Sequence, residues 1–420
     1  MALAVETVKH GMTTCRPRRA LRVCLATFAP GHGGLQTVTA NLCRYLAGRG
    51  YEVTPLYLGP PVPTRRIARY LLFGSPRWEE AWGRPALAVD HLAHLELLRY
   101  LIPALKVRGS LRGFDVYHVI RGANLAEALF AVNGHRFVDW VATTVADERR
   151  SQSGAAPPRS VGQRLLASVN GCLEPLLQRQ ERWVLRRAAV VDGISGYVRR
   201  QLVEVTDLSP LRVGVVHLPV DTRIFAPGNR DGRQQTRYVL AVGRLDDPRK
   251  NLPLLIEAFA RISPRNPDVE LRLVGPLEDR TWLDARDRTL GIAHQVRHLG
   301  ELSLPELVRQ YQDAEAVVLS SRQEGFGMAL VEAMACGTPV VSTRCGGPEE
   351  IVRDGITGFL TPIGDAVALA EAAERILSDR ALRASMGRAA REDVCNRFAM
   401  EVIGAQILRR YHEAYPELPE

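Results

Sequence analysis

The stretch SSRQEGFGMALVEAMACGTPVV, residues 320–341, sets two glutamates, Glu324 and Glu332, around two glycines and an apolar run. AVVLSS (316–321) reads as a buried strand, RQEGFG as the turn at its carboxyl end, and MALVEAMA as the helix that leaves the turn. Gly325 and Gly327 let the backbone come close to a ligand. Amides at the helix start suit an anion such as a pyrophosphate. Glu324 falls at the turn, where a carboxylate accepts hydrogen bonds from sugar hydroxyls. Glu332 lies inside the helix among Leu330, Val331, Ala333 and Met334, unlike a solvated surface glutamate.

The same alternation runs in both directions from this stretch. Ahead of it are the strand RYVLAVG, the helix NLPLLIEAFARI, the strand VELRLVG ending at Gly275, a helix near 281–290, the strand VRHLG (296–300) and the helix LPELVRQYQDA. TPVVST and C-terminal helices follow. Nearer the start, LRVCLATF (21–28), the Gly-rich APGHGGLQ, a helix with Val38, Leu42, Tyr45 and Leu46 on one face, and YEVTPLYL (51–58) form a βαβ unit. Further strands are expected at Asp115–Ile120, Phe137–Val145, Ala188–Ile194 and Val213–His217.

The expected fold is α/β: two Rossmann-like domains facing each other across a deep cleft, with ligands at the carboxyl ends of the strands. The expected divisions are a basic flexible tail over 1–20, a first domain over 21–218 and a linker over 219–236. A second domain over 237–396 follows, then a C-terminal helix over 397–420 that packs back on the first domain. The Pro-rich region of about 60–112 reads as an insertion in the first domain. It carries Trp78, Trp82 and the amphipathic LAHLELLRYLIPALK.

A chain of 420 residues with 46% hydrophobic and 24% charged residues is globular and long enough for two cores. No apolar run is long enough to span a bilayer. The N-terminus lacks an apolar signal segment, and seven cysteines without CxxC spacing suit reduced thiols, so the expected setting is cytoplasmic. The net charge of +9 is spread along the chain without a nucleic-acid motif, which argues against nucleic acid and for phosphates or an anionic membrane surface. Only three of the 55 basic residues are lysines: Lys9, Lys106 and Lys250. Lys250 and Arg244 lie in VGRLDDPRKN, at the end of a strand. A guanidinium and an ammonium there would clamp a diphosphate and stabilise charge on a leaving phosphate.

These pieces resemble the retaining GT-B glycosyltransferases of glycosyltransferase family 4. The resemblance rests on GGLQTVTANLCRYLAGRGYEVT, DGISGYVRRQL, PVDTRIFAP, AVGRLDDPRKN, EGFGMALVEAMACGTPVVST and GGPEEIVRDGITGFLTP. It implies that Glu324 contacts the transferred sugar, Glu332 the nucleotide ribose, Arg244 and Lys250 the phosphates, and Gly33 and Gly34 the donor phosphates from the other side. Gly275, His298 and Leu299 would flank the base, and Gly325, Phe326 and Gly327 the diphosphate. The resemblance also implies a nucleotide-sugar donor, with a UDP-sugar expected in preference to GDP-mannose. No metal and no cofactor is expected. The acceptor-side expectations are Arg121, Asn124, Asp147, Trp78 and Trp82.

One departure stands out. Many family members carry DVxHxH at a strand end, and this chain reads DVYHVIRGAN, with His118 at the first position and Ile120 at the second. His118 is carried as a catalytic candidate, on the strand face it shares with Ile120. APGHGGLQ lacks the third glycine of a dinucleotide fingerprint. His91 and His94 read as helix surface, and Ser195 in GISGY as a strand-to-helix turn. Two other functions fit the fold: a nucleotide-sugar 2-epimerase, and a nucleotide-sugar-binding protein without transferase activity.

Overall fold

The computed structural model describes residues 19–27, 34–92, 98–123, 125–152, 174–228 and 236–419. The first sheet has strands β1 (Arg22–Thr27), β2 (Glu52–Pro61), β3 (Arg77–Ala81), β4 (Arg84–His91), β5 (Val116–Arg121), β6 (Val138–Val141), β7 (Val190–Gly193) and β8 (Val213–Val215). Their order is β3-β4-β2-β1-β5-β6-β7-β8. The second sheet holds β9 (Arg237–Val242), β10 (Val269–Val274), β11 (Val296–Gly300), β12 (Ala316–Leu319), β13 (Val340–Thr343) and β14 (Gly358–Thr361), in the order β11-β10-β9-β12-β13-β14. All pairings are parallel except β3 with β4. Central strands such as β5 and β12 are buried along their whole length, because helices cover both faces. In each sheet the strand order reverses beside its first strand, β1 or β9, which opens a crevice at the carboxyl edge.

Residues 60–112 are more integral than an insertion. β4 joins β2 in parallel, and β3 turns back on β4, so this region widens the first sheet by two strands. The hairpin closes at Trp82 and Gly83, both at positive φ (52° and 69°), the backbone of a type I′ turn. Trp82 packs edge-on to Tyr57 at 5.9 Å, and Trp78 stands exposed on the edge strand. Within the apolar stretch that follows, the helix spans Leu98–Val107.

The chain recrosses near its end. Val220 N donates to Phe398 O at 2.9 Å and Met400 N donates to Val220 O at 3.1 Å, two bonds that bracket Ala399. Helix Met400–Ala414 then lies against the first sheet. Gly404 is required there, since a Cβ would stand 2.3 Å from the Tyr45 ring. Arg410 donates to Asp192 of β7, and the Tyr415 hydroxyl accepts from Tyr117 N at 2.9 Å.

Candidate active site

The turn after β12 and the loop after β9 are stitched together at the carboxyl edge of the second sheet. Arg322 N donates to Arg249 O at 2.7 Å, and Ser320 Oγ to Lys250 O at 2.8 Å. Asp247 caps the short turn Pro248–Lys250 by accepting from Arg249 N at 3.0 Å. Burial opposes the charge on Asp247, but the hydrogen bonds from Arg249 outweigh it and hold the carboxyl below its ordinary value. Arg244 donates to the same carboxylate at 2.9 Å and is otherwise exposed to solvent. Lys250 Nζ forms an ion pair with Glu324 Oε2. The Lys250–Glu324 pair thus joins the two segments at one edge, and Arg244 stands at the start of the same loop as Lys250.

Gly275 and Gly243 explain how the edge is kept open to backbone approach. Gly275 has φ +125°, and a Cβ on it would lie 1.9 Å from Gly243 O. Its N–H donates to Gly300 O at 2.8 Å, and its carbonyl meets His298 Nε2 at 2.9 Å. His298 and Leu299 are half-buried in the adjoining strand β11.

Gly327, at φ +115°, starts helix Met328–Ala335, whose amino end points into the crevice. Opposite it begins helix Gly34–Gly48. A Cβ on Gly34 would come 3.4 Å from Met328 Cγ, so the two amino ends converge. Two positive helix ends with Lys250 and Arg244 form an electropositive cradle for an anion. The Phe326 ring turns away from it, packing on His217 at 5.6 Å and Phe398 at 5.6 Å, which leaves its backbone to the site. Gly33 lies outside the described residues.

Glu332 is only 8% exposed and accepts from Tyr311 OH at 2.8 Å. Burial pushes its carboxyl up to about 7, with the Tyr311 hydrogen bond pulling the other way. It sits on the same helix that Gly327 starts, behind Glu324.

The structure does not bring His118 to the cleft. It is buried at 1% exposure, meets Tyr411 OH at 2.8 Å, and faces the C-terminal helix. Burial drives it down to about 3, so it remains neutral near neutral pH. Arg121 likewise is no surface ligand. It is fully buried, paired with Asp139 at 3.2 Å, Glu127 at 3.1 Å and Glu181 at 3.2 Å. The turn carrying Glu127 and the helix carrying Glu181 close over this strand end. Asn124 lies outside the described residues. Trp78 and Trp82 sit at the β3 edge, as above, away from the clamp.

Asp147 is placed at the junction of the domains, accepting from Gln323 Nε2. With Tyr197, Arg200, Gln201, Glu204 and Gln323 it lines an open groove of about 410 Å³. Several bridging residues escaped the sequence reading. Arg249 reaches Glu148 at 2.9 Å, and Ser195 Oγ donates to Gly325 O at 2.6 Å. Glu350 accepts from the amides of Gly196 (2.9 Å) and Tyr197 (3.0 Å) and from His217 Nε2 (3.3 Å). Burial opposes the Glu350 charge, but these donors prevail and lower its carboxyl. The quoted GGPEEIV contained Glu350, yet only the folded chain shows that it caps a helix of the other domain.

Two family models match the chain in tandem: Glycosyltransferase Family 4 over residues 32–224 and Glycosyl transferases group 1 over residues 227–393. A MMP alpha-(1->4)-mannosyltransferase of Mycolicibacterium hassiacum is 36% identical over 403 residues, covering 91% of this chain and 95% of that protein. A D-inositol 3-phosphate glycosyltransferase of Corynebacterium diphtheriae is 36% identical over 211 residues, 46% of this chain and 49% of that relative. The chain thus matches about half the length of that inositol-phosphate enzyme. In three dimensions it resembles sucrose-phosphate synthase of Thermosynechococcus elongatus (TM-score 0.73, 20% identity, 95% of this chain and 100% of that one). It also resembles Anabaena HepE in complex with UDP and glucose (TM-score 0.69, 20% identity, 93% and 99%). With its two facing Rossmann-like domains and both halves matched, the chain belongs to glycosyltransferase family 4 and has the GT-B fold.

Proposed function

We propose that this chain transfers a hexose or amino-hexose from a nucleoside-diphosphate sugar to an acceptor hydroxyl, with the anomeric configuration retained. The observation that carries the reading is the meeting of Lys250, Arg244 and Glu324 beside the amino end of helix Met328–Ala335. In this reading the diphosphate lies between the two helix amino ends, bound by Lys250 and Arg244. As the glycosidic bond lengthens, negative charge grows on the leaving oxygen and positive charge on the sugar ring. Lys250, Arg244 and the helix amides stabilise the first, and Glu324 the second. The acceptor oxygen bonds to the anomeric carbon on the face the diphosphate leaves. Its proton passes to the departing phosphate oxygen, so no protein base is needed. The groove beside Asp147 is assigned to the acceptor, a lipid, small metabolite or natural product. UDP is the preferred nucleotide, in keeping with the UDP in the HepE complex.

Incubation with a panel of nucleotide-sugars tests this directly. Slow release of nucleotide from one donor, and an axial or equatorial product linkage matching the donor by NMR, is the expected outcome. Epimerised donor without nucleotide release would select the epimerase. Binding without turnover for any donor and acceptor would leave a binding protein.

A further inference from the structure

Residues 61–78 and 98–113 contain eight basic side chains and no Asp or Glu, in a chain where acids make up 46 of 420 residues. The two segments lie together. Lys106 Nζ donates to Leu71 O at 2.7 Å and stands 5.7 Å from the Tyr70 ring. Helix Ile67–Phe73 is pinned by one face only: Tyr70 packs with Val62 and Leu92 and hydrogen-bonds Asp90 O, and Ile67 and Ile102 lean on the same small cluster. Its other side is bare. Leu72 is 73% exposed, Phe73 77%, Leu71 45% and the neighbouring Leu105 62%. Isolated exposed apolar residues are ordinary, but three in a row at a helix end beside a fourth form a projecting apolar tip.

Cations surround this tip. Arg65, Arg66 and Arg69 are exposed on the turn and helix that carry it, and Arg108 and Arg112 follow Leu105. Arg77 is different, being neutralised by Asp90 at 2.6 Å and by Glu79, and takes no part. The helix follows the carboxyl end of β2, where Pro61 pairs with His91 at the carboxyl end of β4. It thus stands at the sheet edge that also forms the cleft.

We propose that the tip of helix Ile67–Phe73 is a membrane-docking surface. Leu72 and Phe73 enter the headgroup boundary of an anionic bilayer while Arg65, Arg66 and Arg69 lie against its phosphates. An apolar face flanked by basic side chains is the chemistry of interfacial helices, and a cluster of bases without acids is that of attraction to anionic lipid. A second copy of this chain is the poorer occupant, because a symmetric contact would set these exposed cations against one another.

Co-sedimentation of the full chain with vesicles tests the assignment. The probes are phosphatidylcholine alone and phosphatidylcholine mixed with phosphatidylglycerol. The expected result is partitioning onto the mixed vesicles only, weakening with salt. The paired variant Leu72→Ser/Phe73→Ser and the triple variant Arg65→Glu/Arg66→Glu/Arg69→Glu should each lower partitioning about tenfold or more. All these side chains are exposed, so both variants should melt with the parent. Three results would each overturn the proposal: equal partitioning onto neutral vesicles, partitioning unchanged in both variants, or a dimeric parent that the serine variant makes monomeric. None of these readouts depends on sugar transfer.

Discussion

Glu324 and Glu332 occupy different surroundings, and they are expected to fail differently. Glu324 is ion-paired with Lys250 at the edge, where the sugar ring would gain positive charge. Glu324→Gln should lower kcat and kcat/KM together and leave nucleotide binding nearly intact. Glu332 is assigned to the ribose, which does not change during reaction, so Glu332→Gln should raise donor KM with kcat largely kept. Steady-state kinetics plus calorimetry of nucleotide binding separates the two; matching behaviour of both variants would refute the assignment. Glu332 also carries a pH signature. Its carboxyl is raised by burial to about 7, so it takes up a proton on folding. Its contribution to stability is full below the ordinary glutamate range and is lost as pH rises through about 7. Ribose hydroxyls donate best to the ionised form, so nucleotide binding somewhat below that pH should release a proton. Calorimetry in two buffers of different ionisation enthalpy reads this release, and Glu332→Gln should abolish it. Lys250→Ala should cut turnover by roughly 10²–10³, the scale of one lost charge-stabilising donor.

The strand ends show how local sequence sets the shape of the site. Gly275 leaves β10 at φ +125° with its α-carbon pressed toward Gly243 O. Gly275→Ala should cost about 2–5 kcal/mol, combining backbone strain with overpacking against a carbonyl that cannot yield. Urea unfolding should show that loss, while Gly291→Ala, whose Cβ would meet open space but whose φ is +73°, should lose less. Alternating strands and helices, and the cleft side chains Arg244, Lys250 and Glu324, were legible because each sits at a strand's carboxyl end marked by glycine. The β3–β4 hairpin was not. Its turn puts a tryptophan at positive φ where Asn-Gly is the usual signal, and Trp82 holds that strained conformation through contact with Tyr57. His118 was misread for a related reason. A strand pattern gives the face of a residue but not what covers it, and the cover here comes from Tyr411, far along the chain.

The two domains meet through apolar contacts, such as the Phe326 ring on His217, and through polar ones. Glu350 carries an unusual share: two amides at the start of helix Gly196–Thr206 and His217 all converge on its carboxylate. Hydrogen bonds to a charged group contribute about 1.5–3 kcal/mol. Glu350→Ala should therefore open the cleft, seen as a larger radius of gyration by X-ray scattering, with donor turnover reduced and each domain still folded. Glu350 is held below its ordinary value, so its contribution is present above that value and is lost as pH falls through the lowered one. Acid should open the parent chain in the same way, and an unchanged radius across that range would argue against Glu350 as the strut.

The return of helix Met400–Ala414 to the first sheet has a consequence in the order of synthesis. Tyr117 and His118 on β5, and Asp192 on β7, wait for Tyr415, Tyr411 and Arg410. The half of the protein made first is thus completed by a helix made after the second half. Domains usually fold in the order they emerge. Here a nascent chain halted after residue 398 should hold a protease-resistant second half beside a first half still open to cleavage, until helix Met400–Ala414 and Tyr415 arrive and close it.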